Sequence, residues 1–100
     1  MEARIRIEKL SDGPPLEFAV TVQDAQGQTR HAVTVSRTMV EAWNAAGHSP
    51  EQCLQAAFRF LLDREPKDAI LSRFDVSVIC RYFPEFEREL PRYLRACEAG

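Results

Sequence analysis

The chain predicts an α+β fold: a three-stranded antiparallel sheet in the N-terminal half, covered by several short helices in the C-terminal half. Three observations lead there. Apolar residues alternate with period two between Arg4 and Val35. The spacing then lengthens to the three and four residues of a helix from Ser36 onward. Prolines at 50, 66, 84 and 91 divide that second half into short pieces. A length of 100 residues sets one domain spanning 1–100.

The first strand is Arg4-Ile5-Arg6-Ile7-Glu8, with Ile5 and Ile7 on one side and charges on the other. Ser11-Asp12-Gly13-Pro14-Pro15 is a loop. Leu16 to Gln23 places Phe18, Val20 and Val22 on one face. Asp24-Ala25-Gln26-Gly27 turns the chain, and Arg30 to Val35 returns it with Val33 and Val35 inward. Two strands joined by such a turn form a β-hairpin. A sheet this small needs helices over its apolar face.

Ser36 to Ala46 carries Met39, Val40 and Trp43 and ends at Gly47, a residue suited to the position just past a helix. Ser49-Pro50-Glu51-Gln52 is a helix start, with Ser49 as N-cap, Pro50 at the first helical position and Gln52 closing a capping box. The helix runs to about Arg64. Its polar stripe is only Gln52, Gln55, Arg59 and Asp63, so it is buried on several sides. Pro66 ends it. Lys67 to Arg73 reads as a short helix turning Ile70 and Leu71 to the core. Asp75 caps a helix over 76–83, although Val76, Val78 and Cys80 also alternate as a strand would. Pro84 opens a last helix, with Glu85 and Glu87 in its first turn, and Pro91 kinks or splits it.

Thirteen basic and fifteen acidic residues, net charge −2, are spread along both halves. That balance lacks the concentrated positive footprint of a nucleic-acid binder. No apolar run approaches the ~20 residues needed to span a bilayer. MEARIRIEKL has no apolar signal core. A cytoplasmic location is expected, with Cys53, Cys80 and Cys97 as free, buried thiols in a reducing compartment.

Chemistry is sparse. His31 and His48 have no second ligand at metal spacing, so no metal is expected. Four scattered glycines form no phosphate loop, and no cofactor is expected. No local nucleophile–base signature appears. Glu85, Glu87 and Glu89, with Asp63, Glu65 and Asp68, are interleaved with Arg64, Lys67, Arg88 and Arg92, the composition of an ion-paired surface.

The segment LLDREPKDAILSRFDVSVICRYFPEFE, residues 61–87, resembles a small, uncharacterised bacterial protein family. That resemblance implies a bacterial source and carries no activity. Residues 31–62 are similar to ribbon-helix-helix repressors in their order of strand, short helix, Gly-containing turn and second helix opening at Ser49. That likeness implies a homodimer reading DNA with Arg30 and Thr34. The strand of that motif already has a hairpin partner here in residues 16–23, and its face is poor in base-reading groups.

The residues favour a different function: a non-catalytic interaction or regulatory protein that docks on a protein partner or on itself. Trp43, Tyr82, Phe86 and Tyr93 are the expected interface anchors, since aromatic side chains dominate such contacts.

Overall fold

A computed structural model describes residues 3–13 and 15–99, with side chains as far as Ala96. Strands β1 (Arg4–Ser11), β2 (Leu16–Asp24) and β3 (Gly27–Val35) form the expected antiparallel meander. Ile5 and Ile7 sit opposite Val22 and Val20. Phe18 sits opposite Val33, and His31 joins the same face opposite Val20, so that face is mainly apolar. At the hairpin, Asp24 Oδ1 accepts the Gln26 N–H at 2.8 Å, and Gly27 takes φ +135°, where a side chain is disfavoured. A register shift between Lys9 and Ser11 marks a bulge near the free edge of β1. Pro14 of the expected loop lies outside the described residues.

Among the described residues the sheet has four strands, not three. β4 (Arg73–Asp75) joins β3 in parallel, pairing Ala32 with Arg73 and Thr34 with Asp75, and makes the sheet mixed. A parallel neighbour requires a crossover. Here α1 (Arg37–Ala45), α2 (Pro50–Leu62) and a 3-10 turn (Lys67–Ala69) supply it. Three residues are too few for alternation to announce a strand. The expected helix over 67–73 is therefore a 3-10 turn followed by extended chain.

α1 already falls in the first half, so the helices are not confined to the second. Ser36 accepts the Met39 N–H at its start, and Gly47 follows its end with φ +87°. α2 opens with the full capping box: Gln52 N–H to Ser49 Oγ, 3.1 Å, and Ser49 N–H to Gln52 Oε1, 2.9 Å. It is the middle layer. Phe58 meets His31 and Phe74 on the sheet side, and Phe60 meets Phe86 and Tyr93 on the other. Cys53, Leu54, Ala56, Ala57, Phe58, Phe60 and Leu61 are all buried. Each large apolar side chain there is worth about 1.5–3 kcal/mol in burial.

The ambiguous 76–83 segment resolves as α3 (Ser77–Tyr82). Asp75 Oδ2 accepts the Ser77 N–H at 3.0 Å, but the N-cap position is Val76, so the expected Asp75 cap is shifted by one residue from the helix start. Pro84 and Glu85 form a turn, and α4 (Phe86–Ala99) begins two residues later than expected. α4 also runs through Pro91, with that residue exposed at the surface.

Candidate functional site

Three large apolar side chains are exposed among the described residues: Leu10, Leu71 and Tyr82. Leu71 and Tyr82 border the same cavity of about 300 Å³. Its position follows from local structure. The 3-10 turn ends at Ala69, and Ile70 is extended with ψ +133°. Successive side chains of extended chain point to opposite sides. Ile70 enters the core and Leu71 turns outward, 51 % exposed. Next, Phe74 of β4 packs inward against Phe58. α3 then buries Ile79 and presents Tyr82, 68 % exposed, on its outer side.

Leu61, Ile70, Phe74 and Ile79 line the inner part of the cavity, and Leu71 and Tyr82 stand at its rim. Glu65, just past α2, is the one charged residue of its lining. Neither Glu65 nor the exposed Arg81 beside Tyr82 makes an ion pair among the described residues. The cavity is thus an apolar concavity with a single charge at its wall.

The four expected anchors part company. Trp43 is buried, and Phe86 is 1 % exposed. Phe86 sits edge-on to Phe60, with ring centroids 5.1 Å apart. Both fill this chain's own core, so neither is an anchor on its surface. Tyr93 is half-buried: its ring packs edge-on to Phe60, and its hydroxyl donates to Asp63 Oδ2 at 2.5 Å. That hydroxyl also lies 3.4 Å from Arg64 Nη1. Tyr93 is thus tied to its neighbours, and Tyr82 is the fully presented aromatic of the four. Leu71, which sequence reasoning turned inward, belongs with it. The signal was the adjacent pair Ile70-Leu71, which extended chain cannot bury together.

A second, polar groove of about 870 Å³ opens between the hairpin end, α2 and α4. Beneath it lies Lys67, only 6 % exposed, with Nζ 3.1 Å from Asp24 Oδ1 and 3.9 Å from Asp68 Oδ2. The expected solvated lysine is therefore a buried tie between the 3-10 turn and the hairpin. The Arg64–Glu85 pair at 3.3 Å, with the guanidinium 3.7 Å above the Phe60 ring, and the Arg92–Glu89 pair fit the expected ion-paired surface.

The residues with chemical potential are committed to structure. His31 is buried, its Nδ1 2.8 Å from the Leu71 carbonyl and its Nε2 2.8 Å from Thr29 Oγ1. Burial pushes the Cys53 thiol up to about 12. Burial, and then the nearby Glu87 carboxylate, also raises that of Cys80. Both are free thiols, with Cys80 only half-buried; the Cys97 side chain lies outside the described residues. Among the described residues no group of three or more His, Cys, Asp or Glu is placed to hold a metal ion. None of the described helices is long and apolar enough to cross a membrane.

For the ribbon-helix-helix likeness, the placement of β3 matters most. It pairs with β2 along its length and with β4 over Ala32–Thr34, so that stretch has no edge for a second chain's strand. Thr34 Oγ1 donates to Asp75 Oδ1 at 2.7 Å, which occupies the hydroxyl, while Arg30 is exposed on the helix-free face. Comparison with known proteins returns no match: no family model, no curated relative and no solved structure aligns with the chain.

Proposed function

We propose that this chain is a small, non-catalytic interaction protein that docks through the apolar groove between Leu71 and Tyr82. The observation that carries this reading is the convergence of two exposed large apolar side chains on one concave apolar surface. Folding gains little from leaving them in water, whereas binding gains from burying both. The surrounding residues supply the rigidity a docking site needs. Ile70 and Phe74 are buried directly beneath, and the Leu71 backbone is bonded to His31. The buried histidine and raised thiols favour a binding role over nucleophilic chemistry.

The test compares affinity-tagged wild type with the Leu71→Ser/Tyr82→Ser double variant. Both positions are exposed, so the double variant should keep the wild-type unfolding free energy in urea within about 0.5 kcal/mol. It should lose the protein contacts that wild type retains. A wild type and variant with identical contacts would remove the groove as a docking surface.

A further inference from the structure

We propose that the occupant of this groove is a second copy of the chain. A two-fold axis would let Tyr82 of each copy enter the other's cavity and Arg81 of each pair with the other's Glu65. The inference rests on the reading of the groove as a docking surface, and it names the partner.

Its basis is self-complementarity within one patch. A closed two-fold interface uses the same surface on both copies, so that surface must carry both members of every contact. The patch does so twice. It has a projecting apolar group, Tyr82, and an apolar cavity of about 300 Å³ beside it. It also has an exposed cation, Arg81, next to Tyr82 on α3, and an anion, Glu65, in the cavity wall. Neither charge has an ion-pair partner among the described residues of its own chain. Of the neighbouring charges, Arg64, Glu85 and Lys67 are paired internally, while Arg73 on β4 is exposed and also without an ion pair among the described residues. An unmatched anion thus stands in the wall of the apolar cavity, and an unmatched cation stands one residue before Tyr82 on α3. Tyrosine suits the central position because its ring buries a large area at low entropic cost and its hydroxyl tolerates a wet rim. A heterologous partner would need to supply the opposite of each feature; a second copy already has them.

The experiment is sedimentation velocity and light scattering on the purified full chain over a concentration series, using charge swaps. Wild type should reach twice the monomer mass. Tyr82→Ser should stay monomeric through the same range. Glu65→Arg and Arg81→Glu should each weaken dimerisation about tenfold, because a two-fold axis makes each substitution remove two charge pairs at once. The Glu65→Arg/Arg81→Glu double swap should recover most of the wild-type affinity, which a variant impaired merely in folding does not do. Raising salt should weaken the wild-type dimer modestly and strengthen the Arg81→Glu dimer, in which carboxylates face each other.

A chain that stays monomeric at every concentration overturns the proposal. So does a dimer indifferent to Tyr82→Ser, or a double swap no better than the single variants. If the pure chain is monomeric but tagged wild type still makes contacts that Leu71→Ser/Tyr82→Ser loses, the second copy is refuted and the docking surface stands. If both measurements fail, the groove is not a docking surface at all.

Discussion

The imidazole Nδ1 of His31 lies 2.8 Å from the carbonyl oxygen of Leu71, linking the middle of β3 to the segment that borders the groove. A carbonyl only accepts, so Nδ1 carries the hydrogen; in the neutral ring Nε2 then accepts from the Thr29 hydroxyl. This bond holds the Leu71 backbone inward while its side chain faces out. His31→Phe keeps a ring against Phe58 but strands the carbonyl. We expect a loss of about 1–3 kcal/mol in urea unfolding, and a weaker contact at the groove. An unchanged midpoint would show that the bond contributes nothing net.

The Lys67–Asp24 tie makes an ordering prediction. Asp24→Asn leaves a buried ammonium without its close carboxylate, whereas Lys67→Met replaces the cation with an apolar chain of similar length. Asp24→Asn should therefore lower the melting temperature more than Lys67→Met does. The reverse order in calorimetry would mean that the ammonium reaches water in the folded chain.

Asp75 sets an acid dependence. Burial opposes its ionisation, but bonds from the Ser77 hydroxyl, the Ser77 N–H and the Thr34 hydroxyl outweigh that and hold its pKa below the ordinary 3.8. The folded pKa is the lower one, so the stabilisation is present above the unfolded value and fades as pH falls through the folded value. Asp75→Asn should cost about 1 kcal/mol at pH 7, and the gap to wild type should narrow as pH falls below the ordinary carboxylate range toward the lower folded value. A gap that is constant from pH 7 to pH 3 would assign the cost to geometry and not to charge.

Cys53, with its thiol pushed up to about 12, holds almost no thiolate at pH 8. In a Cys97→Ser background, iodoacetamide should leave Cys53 unmodified in the folded chain and alkylate it in guanidinium. Mass spectrometry of the peptides reads this directly. Labelling that outpaces global unfolding would show that α2 opens locally.

Much of the fold was legible in local sequence because local physics decides it. The Ser49–Gln52 capping box, the β2–β3 hairpin, the Gly47 terminus and the wide apolar circumference of α2 each depend on residues close together in the chain. Pro91 was a partial failure of the same reasoning. The loss of one N–H did not end α4, because its apolar face at Phe86, Leu90 and Leu94 is buried on both sides of that proline.

The candidate site was half legible. Tyr82 was singled out for its aromatic character. Trp43, Phe86 and Tyr93 had the same character and went elsewhere, since residue type cannot say which side of a short helix meets the core. Leu71, Glu65 and the buried Lys67 depend on partners outside their own segments: His31, the α3 rim and Asp24. Periodicity within one segment carries no record of such partners. The sequence by itself determined which segments become strands and helices and where most of them begin and stop, through capping, turn chemistry and apolar spacing. Only the tertiary structure decided the parallel fourth strand, the inward lysine and the outward leucine. Those outcomes depend on which surfaces α2 and the crossover leave uncovered, a balance of burial across the whole chain that no single segment carries.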